Sequence, residues 1–130
     1  MELLYKELTE QIIKAFYDVY NELGYGFLEK VYQNSLYMEL KNRGFNVEAQ
    51  KQIKVYYKNT VVGEYYADLI VNNLIILELK ATEVIVKEFE FQLLNYLRAT
   101  DIEVGLLLNF GIKPEFRRKV FDNSRKNPNQ

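Results

Sequence analysis

The hydrophobic period of this chain first changes at Gly44, and that change restricts the fold more than any other feature. Before it, Leu4, Leu8, Ile12, Phe16, Val19 and Leu23 recur at helical spacing with no Gly or Pro among them, which predicts one amphipathic helix over residues 3–23. Gly24-Tyr25-Gly26 breaks it, and a second helix is expected from about Leu28 to Arg43, with Val31, Tyr32, Ser35, Leu36 and Leu40 inward and Gly44 as its C-terminal cap. After Gly44 the period is two. Strands are expected over Asn46–Tyr57 (irregular near Gln50), Val61–Val71 and Leu74–Lys80, joined by turns at Lys58-Asn59-Thr60 and Asn72-Asn73. The run Leu-Ile-Ile-Leu in the third is apolar on both faces, as a central strand requires. A helix over Val84–Ala99, with Phe89, Leu93, Tyr96 and Leu97 as its stripe, precedes the short buried strand Val104–Leu108, which should pair in parallel. The segment after Gly111 reads either as a short helix from Pro114 or as an edge strand over Phe116–Phe121.

These elements give an α/β class in the order α-α-β-β-β-α-β: a mixed sheet of four or five strands, as a meander followed by a helical crossover. A single domain over residues 1–122 with a disordered tail at 123–130 is expected, since 130 residues suit one core and NSRKNPNQ is polar throughout. The chain has no Cys and no His. That removes disulfides, thiolate or imidazole metal sites and the Ser-His-Asp triad, so hydrolytic chemistry would have to rest on carboxylates, Lys, Tyr or a bound metal. The start MELLYKELTE is acidic and amphipathic, unlike a signal peptide, and no apolar run approaches the roughly 20 residues of a membrane span. A cytoplasmic location without membrane contact is the expectation.

One constellation stands out. Residues 64, 66 and 68 should share a face of the second strand, and residues 76, 78 and 80 a face of the third. The Asn72-Asn73 turn then sets Asp68 beside Glu78, with Lys80 one step further along. Two carboxylates on an apolar sheet repel and lose hydration. A divalent cation relieves that, and an oxygen-only ligand set suits Mg²⁺ or Mn²⁺. The plain structural alternative is a solvated strand end with an incidental Glu78–Lys80 pair.

Asp68 followed by Glu78-Leu79-Lys80 resembles the D…E-x-K core of the PD-(D/E)XK nuclease superfamily. Gly26-Phe27-Leu28-Glu29-Lys30-Val31-Tyr32 resembles the G-x-x-E-x-x-Y motif of the GxxExxY family within it, Gln92 and Tyr96 its Q-x-x-x-Y motif, and Gly105–Gly111 its glycine-bounded strand. The likeness covers about residues 20–112. It departs from the family picture before Gln92, where Lys87-Glu88-Phe89-Glu90 lacks a His.

The resemblance implies a restriction-endonuclease-like core and metal-dependent phosphodiester hydrolysis, most readily in DNA. Asp68, Glu78, the Leu79 carbonyl and Glu29 would hold Mg²⁺ or Mn²⁺. Lys80 would orient the attacking water or stabilise charge, and Gln92 would steady the site or a phosphate. Tyr32, Tyr96 and Asn109 are weaker candidates for substrate contact; the plain alternative for both tyrosines is core packing. Phosphate contacts are sought among Lys51, Lys54, Lys58 and Lys87 and in the basic segment Lys113, Arg117, Arg118, Lys119, Arg125 and Lys126. The rival readings are a catalytically silent nucleic-acid or protein-binding module on the same fold, and an interaction protein; a homodimer is compatible with each.

Overall fold

A computed structural model describes residues 4–126. Helix α1 spans Lys6–Leu23 and α2 spans Glu29–Asn42. Residue 3, the first of the expected helix, lies outside the described residues. Ile12, Ala15, Phe16 and Val19 bury the inner stripe of α1, and the helix stops where Gly24 takes φ 73° and its N–H closes the last turn on the Tyr20 carbonyl. In α2 the inner face is Tyr32, Gln33, Leu36 and Leu40. The expected Val31 turns outward, and the polar Gln33 is buried in its place.

The sheet has five strands in sequence order: β1 Val47–Tyr57, β2 Thr60–Val71, β3 Ile75–Lys80, β4 Val104–Phe110 and β5 Pro114–Val120. Only β3 and β4 pair in parallel, bridged by helix α3, Lys87–Arg98. The other neighbours are antiparallel. Positive φ at Lys58 and Asn59, and again at Asn72 and Asn73, makes both hairpin turns the mirror-type turns that match strand twist. The segment after Gly111 is the edge strand rather than the short helix. Pro114 opens it, where a missing N–H costs no ladder bond. This gives the order α-α-β-β-β-α-β-β, an α/β mixed sheet flanked by helices.

The two faces carry separate apolar clusters. Helices α1 and α2 cover Val47, Leu69, Val71, Leu77, Leu79 and Leu106. Helix α3 covers Ile53, Ala67, Ile70, Ile76 and Leu107 through Leu93, Tyr96 and Leu97. Gly105 sets the closeness of α3. A Cβ there would stand 2.6 Å from Leu93 Cδ1, so only Gly lets the helix lie this near β4. At the end of the chain Asn123–Arg125 forms a short 3-10 turn, and Lys126 donates to the Thr100 and Ile102 carbonyls. The remainder of the expected disordered tail, 127–130, lies outside the described residues. Among the described residues no helix is long and apolar enough to cross a membrane.

Candidate functional site

The alternation of β1 and β2 resets at Gln50 and Asp68. Ala67 and Leu69, two residues apart, belong to opposite clusters, as do Val47 and Ile53 across the same point of β1. Gln50 sits in the left-handed region at φ 52°. The expected common face of Glu64, Tyr66 and Asp68 is therefore broken: Tyr65, not Tyr66, packs on α3, with its ring 5.6 Å from that of Tyr96.

At the same level β2 and β3 part. Their register runs Val71↔Ile75, Ile70↔Ile76, Leu69↔Leu77 and then stops, one step short of Asp68 and Glu78. The backbone N–H groups left without ladder partners are taken by these two carboxylates, crosswise. Asp68 N–H donates to Glu78 Oε2 at 2.8 Å, and Leu79 N–H donates to Asp68 Oδ2 at 2.8 Å. Each side chain thus seals the gap for the opposite strand and is fixed in direction, with its second carboxylate oxygen left to bind elsewhere.

The electrostatics are unfavourable to charge. Glu78 is 5% exposed. Burial, and then the Asp68 charge, push its carboxyl up to about 8, against the Asp68 N–H bond and the Lys80 ammonium. Burial also raises Asp68, opposed by the Leu79 N–H, Lys80 and the amide of Gln50. Glu29, the first residue of α2, is raised by burial and then by Asp68. The acidic trio therefore shares one field, which α2, β2 and β3 bring together. Lys80 lies in the same field. Among the described residues it makes no direct ion pair; its ammonium rests 4.6 Å from the centre of the Phe89 ring on α3.

Among the described residues no group of three Asp or Glu side chains forms a ready-made metal cage. What the chain offers is two oriented carboxylates, Glu78 buried and Asp68 half-buried, with more negative charge than their surroundings compensate, and Glu29 within their reach electrostatically. The donor set is all oxygen, which suits a hard cation.

The remaining candidates divide. Gln92 Nε2 donates to the Tyr96 hydroxyl at 2.6 Å, and the charges of Glu78 and Asp68 help raise the Tyr96 phenol, after burial as the largest cause. This pair stands beside the carboxylates. Tyr32 and Asn109 are not free for substrate. Tyr32 is fully buried and stacked on Phe110 at 4.2 Å; its hydroxyl donates to the Gly24 carbonyl and accepts from Phe27 N–H. It holds the loop that delivers Glu29, and Gly26 at φ 116° lets that loop turn. Asn109 is also fully buried. It clamps Thr82, accepting from its N–H and donating to its carbonyl, and so fixes the chain two residues beyond Lys80.

Two residues of the site escaped sequence reasoning. Gln50 donates to Gln33 Oε1 at 3.0 Å and its amide also lies against Asp68. Gln33 is 4% exposed on α2. Together they tie helix, edge strand and carboxylate. The expected irregularity near Gln50 was one available signal; helical spacing sets residue 33 on the face of Leu36 and Leu40, but its polar side chain kept it off an apolar stripe.

The basic segment is largely committed to the fold. Lys119 pairs with Glu90, Arg118 donates to the Leu4 carbonyl, and Lys126 holds backbone carbonyls. A family model described as the PD-(D/E)XK nuclease superfamily matches residues 6–119. No curated protein and no solved structure matches the chain.

Proposed function

The chain belongs to the PD-(D/E)XK nuclease superfamily, and from that premise we propose that it hydrolyses phosphodiester bonds in DNA with Mg²⁺ or Mn²⁺, as a member of the GxxExxY branch. The observation that carries this reading is the crossed carboxylate pair at the point where β2 and β3 part. A strand end that only needed solubility would expose its acids. Here Glu78 is buried, Asp68 beside it is half-buried, and both are aimed by backbone N–H groups.

Asp68, Glu78 and the Leu79 carbonyl would hold the cation, with Glu29 able to complete the set from the start of α2. When bound, a divalent cation supplies a coordinated water of lowered pKa and charge that stabilises the pentavalent transition state. The chain's own part is positioning. The two strand N–H groups keep the carboxylates from rotating. Lys80, steadied over Phe89, offers its ammonium to the water or to a phosphate oxygen; orientation and charge stabilisation fit it better than proton abstraction, because acids surround it. Gln92, bonded to Tyr96, steadies the same corner. Assignment to the GxxExxY branch is supported by Gly26, Tyr32 and Glu29, which work together as turn, staple and delivered carboxylate.

Mg²⁺ titration followed by thermal unfolding tests the metal. Wild type should gain about 2.7 kcal/mol when the ion reaches about 100 times its Kd, and Asp68→Ala/Glu78→Ala should gain nothing. Lys80→Ala should keep the metal response and lose roughly 10²–10³ in cleavage rate on DNA. Cleavage that persists in EDTA, or a double variant that responds to Mg²⁺ as wild type does, would overturn the reading.

A further inference from the structure

A groove of about 640 Å³ opens between the outer half of the β1–β2 hairpin and the flank of α3. Tyr65, Val62 and Gly63 line the sheet side; Phe91, Asn95 and the Gln92–Tyr96 pair line the helix side. Tyr96, whose phenol feels the charges of Glu78 and Asp68, lines the groove with its partner Gln92, so the groove borders the carboxylate site. Phe91 is 58% exposed and Tyr65 48%, so two aromatic rings face solvent across the opening. Arg98, also on the lining, forms no ion pair among the described residues; its guanidinium lies 5.7 Å from the centre of the Phe121 ring.

Resting on the nuclease reading, we infer that this groove takes unpaired nucleobases of the strand being cut, so that the substrate class is single-stranded or frayed DNA rather than intact duplex. Bases inside a duplex have their faces covered by their neighbours and cannot enter a cleft of this size without being extruded. Free bases present both faces, which aromatic rings accept whatever the sequence. The amides of Gln92 and Asn95 add hydrogen-bonding groups for base edges. Charge sets the direction of the strand. Glu88 on the lining repels phosphate, so the backbone passes on the Arg98 side, with the bases turned inward.

The test uses a short single-stranded oligodeoxynucleotide carrying 2-aminopurine, and the blunt duplex of the same sequence, in EDTA so that binding is read without cleavage. The single strand should bind with quenching of 2-aminopurine, and the duplex should bind at least tenfold more weakly. Phe91→Ala and Tyr65→Ala, whose rings are exposed enough that folding should survive, should each weaken single-strand binding roughly tenfold; Phe91→Tyr should restore it. Equal binding of duplex, or variants that bind like wild type, would overturn the inference. So would a dimer that Phe91→Ala dissociates while strand binding is unchanged, since the groove would then be a contact between copies. The two readings fail separately. Strand binding without any metal-dependent cleavage would sink the nuclease reading and leave the groove. Equal cleavage of duplex and single strand, insensitive to Phe91→Ala, would sink the groove and leave the nuclease.

Discussion

Glu78 lies in surroundings that disfavour its own charge, and that has a thermodynamic signature in the metal-free protein. Its folded carboxyl is pushed up to about 8 from an ordinary 4.5. Between those values the folded state holds a proton that the unfolded state has released, so folding is favoured by acid. The contribution is fully present below the unfolded value and is lost as pH rises through the folded one. Metal-free protein should therefore be more resistant to urea at pH 5 than at pH 8. Glu78→Gln, which replaces the carboxylate with a neutral group of the same shape, should flatten that slope and stabilise the protein at pH 8 by about 1 kcal/mol, while abolishing the Mg²⁺ response, as expected where a site holds strain for function. Urea titrations at the two pH values decide it: wild-type stability that rises with pH across this window is incompatible with a buried, proton-hungry Glu78.

At the scale of elements, the β2–β3 hairpin was legible in outline. Asn72-Asn73 marks the turn and so brings Asp68 near Glu78, but the register itself was not legible: Leu74 is an extra residue after the turn, the ladder starts at Val71↔Ile75, and a strict two-residue count would have set Asp68 against Leu77. The parting of the strands at Asp68 and Glu78 was not legible either. It depends on side chains bonding the opposite backbone, which no periodicity records, and the facing of β2 resets there, so the expected common face of Glu64, Tyr66 and Asp68 does not hold. Gln33 was missed, and the burial of Asn109 was not foreseen, for a related reason. A polar side chain is buried only where tertiary partners satisfy it, and those partners, Gln50 and Thr82, come from distant segments. Strand β5 stayed ambiguous until its edge position against β4 was known. The approach of α3 to β4 is a packing fact of the same kind, and it can be tested. Leu93 is fully buried and has nowhere to retreat from a Cβ at Gly105. Gly105→Ala should cost about 1–3 kcal/mol in urea denaturation. Adding Leu93→Ala should cost less than the sum of the two single changes, because the cavity made by one accepts the methyl of the other. Strict additivity would mean that α3 shifts bodily and that Gly105 does not set the contact.

Across the whole molecule, charge and aromatic surface divide the work of binding differently from a protein that coats a phosphate backbone. The net charge is -1. Of the basic side chains in the C-terminal segment, Arg118, Lys119 and Lys126 are bound to carbonyls or to Glu90, and Lys51 is bound to Glu48. The cations left near the site and its groove, chiefly Lys80, Lys30 and Arg98, are few, while the rings of Tyr65 and Phe91 are exposed. Binding to a single strand should then release few counterions. With about two or three phosphates neutralised, log affinity against log salt should have a slope of about −1.4 to −2.1, a loss of roughly 7- to 20-fold between 50 and 200 mM, against the 10³–10⁵ expected for six to ten contacts on duplex. Anisotropy titrations of a labelled single strand at several salt concentrations in EDTA measure the slope directly. A steep slope would move the binding energy from the groove to a basic surface, and Lys54, Lys58, Lys87, Lys113 and Arg117 would become the residues to change. A shallow one that Arg98→Ala makes shallower still, by about one phosphate's worth, would assign the backbone contact to the α3 flank and leave the rings of Tyr65 and Phe91 as the main source of affinity.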